Sequence, residues 1–178
     1  YATAPRLSCP TFATLAGATI ADVMVARAGL EPMAVRLLAE SGTADAFDEL
    51  DKMVEEHIPA GWQSGRLADT TGDFHHRVVE LSGNATLGII AGMLHEITVR
   101  HTAFVFKERR PVSKADYEKL MRSYRRLMQL MRSGDGAAAE SHWRKHLDTA
   151  RELLLQGLET VKVRDVTIFA QLVDELLG

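Results

Sequence analysis

Apolar residues recur every three or four positions in each long segment of this chain, and no segment alternates apolar with polar residues for long enough to make a strand. A chain patterned this way has to bury helical stripes against other helical stripes. The expected fold is therefore all-α, an antiparallel bundle of about six or seven helices. At 178 residues the chain fits one such domain, and no period of 20–50 residues repeats along it.

Residues 1–11 include two prolines and little periodicity, so they read as an extended linker, with the helical domain over 12–178. Between Thr14 and Glu40 the residues Ile20, Val23, Met24, Leu30, Val35, Leu37 and Leu38 predict one bent helix or two abutting ones, with Pro32 as the kink or boundary. Thr43 caps a second helix that ends before Pro59. A third is expected from about Trp62 to Leu81, stopping at Ser82-Gly83-Asn84, where Asn84 caps a long helix to Phe106. Ser113 opens the next, which Ser133-Gly134 closes after Arg132, and Asp135 starts another that runs through His146 to about Val161. The last stripe, from Asp165 to Leu177, suits a helix that caps the bundle or pairs with a second chain.

Composition narrows the function. A formal charge of -3 gives the chain no overall pull on a phosphate backbone, so direct nucleic-acid contact would need a local patch or an additional segment. Cys9 is the single cysteine, which excludes an intrachain disulfide and a cysteine-based zinc site. The apolar runs are broken by charge well short of the ~20 residues of a membrane span, and no signal pattern opens the chain. A soluble, cytoplasmic protein without membrane contact is expected. The start at Tyr1 in place of Met suggests a piece of a longer protein.

The chemistry-bearing residues fall in three separated patches: Gly72-Asp73-Phe74-His75-His76, Tyr124, and His142-Trp143-Arg144-Lys145-His146. On three helices, His75, Tyr124 and His146 can converge on one interior pocket, the usual place for a ligand in a helical bundle. Arg27 lies in an apolar setting, where a guanidinium needs a partner: an effector carboxylate, or Glu31 four residues on. Arg100, near His95, Glu96 and His101, either lines the same cavity or is solvated. His76 and His142 read as structural or surface residues, Asn84 as a cap, the methionines as core, and the basic stretch from Lys114 to Arg132 as a solvated face. There is no nucleophile with an orienting partner, no Gly-rich phosphate loop and no paired Glu-x-x-His motif, so an enzyme is not expected.

In order and spacing, Arg27-x-x-Leu30-Glu31, Phe74-His75 with Asn84 nine residues beyond the His, Ser133-Gly134-Asp135 and His146-Leu147 resemble the FCD domain, the all-helical effector-binding domain of FadR-type GntR transcription regulators. Tyr1-Ala2-Thr3-Ala4-Pro5 looks like the exit of the winged helix-turn-helix that precedes this domain in the family. The resemblance implies a small-molecule effector, commonly an organic or sugar acid, a homodimer, and operator DNA bound through a winged helix absent from this chain. The effector site expected combines Thr71, His75, Tyr124 and His146, the positions the resemblance implies, with Arg27 and Arg100, read from their own settings. Many members also hold a divalent metal such as Zn, Ni or Mn through one Asp and three His, positions that fall here at 71, 75, 124 and 146. Two of the four are altered, to Thr71 and Tyr124, leaving His75 and His146 as metal ligands. Two imidazoles alone make a weak site, so no cofactor is expected. An acyl-CoA sensor is the alternative within the family; outside it stand a metal-dependent enzyme and a purely structural dimerisation module.

Overall fold

The structure, a computed structural model, describes residues 17–165. Seven α-helices and two π-helical turns follow one another among them: α1 (Ile20–Ser41), α2 (Ala44–Lys52), a π-turn (Met53–His57), α3 (Ile58–Gln63), α4 (Leu67–Leu81), α5 (Ala85–Phe104), a second π-turn (Val105–Arg109), α6 (Lys114–Arg132) and α7 (Gly136–Leu155). The architecture is all-α, as the periodicity requires. The expected linker over 1–11 and the stripe after Asp165 lie outside the described residues.

Local chemistry fixes most of the boundaries. Thr19 and Asp22 form a reciprocal capping box at α1, and Thr43, Asn84, Ser113 and Asp135 each accept a backbone N–H at the start of α2, α5, α6 and α7. Pro32 neither breaks nor ends α1. Lacking an N–H, it leaves the Ala28 carbonyl without its helical donor, and Arg144 of α7 donates to that oxygen at 3.3 Å.

Three further expectations are corrected. The second helix does not end before Pro59: the chain widens into the π-turn, with Ile58 N–H reaching Met53 O, and continues helically to Gln63 with Pro59 in the first turn of α3, where no N–H is needed. The helix expected from Trp62 to Leu81 is in fact broken. Gly65 takes φ +76°, and Arg66 N–H closes on Gly61 O at 2.7 Å, a glycine-terminated stop before α4 begins. In the same way α7 stops at Leu155, short of Val161, because Gly157 turns the chain at φ +75°.

α1 is the central element, packed along α7 and also against α4, α5 and α6, while α4 lies along α5. One core gathers Leu50, Ile58, Phe74, Tyr124, Leu127 and Trp143; a second joins Ile20 and Val23 to Leu94, Ile97, Val105, Leu155 and Val163. The basic face of α6 is pinned: Arg125 makes a bidentate bridge to Glu55, and Arg132 reaches Asp48 and Asp51. The two ends of the described domain are clipped together, Ile20 N–H to Val161 O at 2.9 Å and Val163 N–H to Ala18 O at 3.0 Å. No helix among the described residues is long and apolar enough to cross a membrane.

Candidate functional site

Where α1, α4, α6 and α7 meet, the apolar core gives way to a chain of polar contacts. Arg27 and Glu31 project from one face of α1, four residues apart, and both are buried. Arg27 Nε donates to Glu31 Oε1 at 2.5 Å, and the other carboxylate oxygen lies 2.7 Å from His75 Nδ1 of α4 and 3.2 Å from Trp143 Nε1 of α7. His75 Nε2 lies 3.2 Å from the Tyr124 hydroxyl of α6. His146, one turn after Trp143 on α7, stacks on that indole with ring centres 4.3 Å apart and lies 5.5 Å from the His75 ring; its Nδ1 contacts Ser123 Oγ at 3.1 Å.

Electrostatics assign the protons. Burial alone would raise the Glu31 carboxyl, but the Arg27 and His75 neighbours outweigh it and hold the group at about 2, so Glu31 is a carboxylate. A carboxylate only accepts, which puts the His75 proton on Nδ1 and leaves Nε2 to accept the Tyr124 O–H. Burial lowers the pKa of His75 despite Glu31, and burial together with His75 lowers that of His146 well below the ordinary value. Burial raises the Tyr124 phenol, keeping it protonated. Arg27 Nη2 lies 2.8 Å from His75 Nδ1, a nitrogen already committed to Glu31, and Nη1 has only Met24 Sδ at 3.9 Å. One edge of the guanidinium thus keeps donors for something else.

This donor set does not fit a divalent ion. The His75 lone pair that a metal would use faces the Tyr124 hydroxyl, the phenol is held protonated, and Thr71 donates its hydroxyl to Leu67 O at 2.8 Å, within its own helix. Among the described residues no three of His, Cys, Asp and Glu converge on one point.

A cleft of about 20 Å³ between α1, α4 and α5, room for one water, is lined by Arg27, Glu31 and His75 of the cluster and by Leu30, Ala91 and Leu94. His76 and His95 also line it, their rings stacked 5.0 Å apart, with Asp73 3.3 Å from His95. Gly72 lines it too; a methyl there would collide with Val99 of α5, so α4 and α5 sit closer than a larger residue would permit.

Of the residues singled out in the sequence, the structure brings Arg27, His75, Tyr124 and His146 together, with Thr71 one turn before His75. Arg100 stands apart: it bonds Glu96 at 2.5 Å, and its Nη1 is out of solvent without an acceptor. His142 is half-buried and donates to Ser123 O at 2.8 Å. Sequence reasoning missed the part of Trp143 and Ser123, and gave Glu31 only as a partner for Arg27. The Glu31 signal was present in its burial on an apolar face; Ser123 offered none.

Residues 22–149 match the family described as the FCD domain. A solved structure of Streptococcus agalactiae GntR superposes with a TM-score of 0.60 at 19% identity over 82% of this chain, a likeness of fold. The chain spans 62% of that protein's length. No curated protein matches.

Proposed function

Because the chain belongs to the FCD domain family, we propose that it is the effector-sensing part of a cytoplasmic GntR-type transcription regulator, working as a homodimer and controlling operator binding by a winged helix outside this chain. The observation that carries the reading is the Arg27–Glu31–His75–Tyr124 chain. A buried polar network is costly to assemble, and this one, with Trp143 Nε1 of α7 also donating to Glu31, joins four helices at one point, so a ligand that changes one member acts on all four.

The effector is a small organic or sugar acid. Arg27 has donors to spare for a carboxylate, and a planar guanidinium grips one with two parallel bonds. A cleft with room for one water offers an acyl-CoA no long apolar cavity, and a small acid enters it only as the helices around it move apart. The site works without a metal, the donors being committed to one another. Its role is not catalytic: Ser123 lies between His142 and His146, but among the described residues no carboxylate orients either ring. Effector binding shifts the domain between two arrangements to the extent that it binds them unequally.

A melting-temperature screen against carboxylates, sugar acids and acyl-CoA tests this. One class of small acid is expected to stabilise the domain, by about 2.7 kcal/mol at 100 times its Kd. Arg27→Lys keeps the charge but loses the planar fork, and is expected to weaken that effect at least tenfold in affinity. Stabilisation by acyl-CoA alone would favour the alternative sensor; a domain that answers none of the three classes sinks the reading.

A further inference from the structure

Where the second π-turn meets the end of α7, a pocket of about 160 Å³ opens, several times the volume of the cleft beside the cluster. Closing with Arg110 N–H on Val105 O at 2.7 Å, the turn sets Arg109 and Arg110 beside the apolar side chains of Leu153, Leu154 and Leu158. Single π-turns of this kind recur at functional sites. His101, itself buried, donates from Nε2 to Leu154 O at 2.8 Å and so fixes that side of the pocket. Gly157 turns the chain at φ +75°, and a Cβ there would stand 3.9 Å from Arg109 Nη2, so the guanidinium lies across the turn that ends α7. Arg77, Arg125 and Arg132 are each held by carboxylates. Arg109 has no ion pair or hydrogen bond to another described residue, and Arg110 only a 3.6 Å approach to Asp116.

We propose that this pocket binds a monocarboxylate with an apolar body, Arg109 gripping the carboxylate while Val105, Leu154 and Leu158 cover the body. The site is separate from the interior cluster, and the proposal holds whether or not that cluster senses an acid. A planar guanidinium suits a carboxylate through two parallel bonds, and an apolar cavity of similar size holds a benzene ring. The surroundings limit the ligand to one negative charge. α7 and the helix continued by the π-turn both end here, presenting the carbonyl poles of their dipoles. Asp116 stands by Arg110, and Glu159 accepts from Gly157 N–H at 3.2 Å. A phosphate dianion would meet all of these with one unengaged cation to answer it. The pocket also adjoins the clip between the ends of the described domain: Leu158 O accepts from Val161 N–H at 3.1 Å, and Val161 O from Ile20 N–H. A bound acid therefore bears on the segment through which the chain enters α1.

The test is a benzoate titration of the full 178-residue chain followed by methyl NMR, with benzyl alcohol and acetate as probes that each lack one half of the ligand. Benzoate is expected to shift the methyls of Val105, Leu154 and Leu158 and to leave those of Leu30 and Leu94, which line the cleft. Benzyl alcohol and acetate should bind roughly tenfold more weakly or worse. Arg109→Gln should weaken benzoate by a similar factor, with circular dichroism as the check on folding. Leu153→Asp, which keeps the arginine and sets a like charge beside the carboxylate, should do the same. Arg27→Lys, which disables the interior cluster, should leave the shifts in place. No shift with benzoate, shifts confined to Leu30 and Leu94, undiminished affinity in Arg109→Gln, or equal affinity for benzyl alcohol or acetate would each overturn the proposal. Loss of the shifts in Arg27→Lys alone would overturn it too, by assigning the acid to the cluster.

Discussion

Glu31 accepts from three side chains on three helices, and its removal is the most damaging single change expected in the core. Glu31→Gln leaves Arg27 buried without a counter-charge, at a cost of about 3–5 kcal/mol, measurable as a lowered urea midpoint with an unchanged slope. Tyr124→Phe removes one hydrogen bond and should cost only about 1 kcal/mol. Restoring the family's ligands should reverse the misfit with a metal: Thr71→Asp with Tyr124→His frees His75 Nε2 and adds a carboxylate and an imidazole. That double variant is expected to purify with, or be stabilised by, Zn or Ni, where the parent chain is not; elemental analysis decides. Much of this cluster could be seen in the sequence, because Arg27/Glu31 and Thr71/His75 share helix faces at four-residue spacing. The parts that could not, Trp143 Nε1 on Glu31 and Ser123 beside His146, depend on how faces of separate helices meet, which residue spacing within one helix does not encode.

At the scale of the element, the breaks are set by backbone conformation. Gly65 has open space around the position of a Cβ, so Gly65→Ala tests conformation alone and should cost about 1–2 kcal/mol for forcing an L-residue to positive φ. Gly72→Ala tests packing. Its methyl must displace the Val99 side chain, so a similar loss of about 1–3 kcal/mol is expected, accompanied by a wider α4–α5 spacing and altered effector affinity. Equal affinity in Gly72→Ala would separate the cleft from effector binding. Helix starts were legible because Thr43, Asn84, Ser113 and Asp135 carry their acceptors in the side chain. The stop between Trp62 and Leu81 was not, since the span holds both Gly65 and Gly72 and residue type alone does not say which is tolerated and which is terminal. Pro32 and Pro59 misled because proline alone does not say how its missing N–H is answered: the Arg144 guanidinium of a distant helix donates to the Ala28 carbonyl, and a widened turn over Met53–His57 accommodates Pro59.

For the whole molecule, buried titrating groups set the response to acid. Glu31 sits at about 2 against an ordinary 4.5, so its contribution is complete above about pH 4.5 and is lost as the pH falls toward 2. His75 and His146 have folded values below 6.5, so beneath that pH the unfolded chain takes up protons first, and stability again falls. The melting temperature should be level above about pH 7, decline below 6.5 and fall more steeply under 4.5. A rise between pH 7 and 5 would contradict these assignments. The all-helical bundle itself was the most legible property, since periodicity acts along the entire chain and every stripe needs a partner. The clip between Ala18–Ile20 and Val161–Val163 was hidden, being a meeting of two short segments more than 140 residues apart. It makes the described bundle a closed circuit: a chain opened at Ser64–Arg66 and rejoined across the clip would thread the same seven helices in a permuted order, and a pull applied across its two ends would load two backbone hydrogen bonds before it reached any helix.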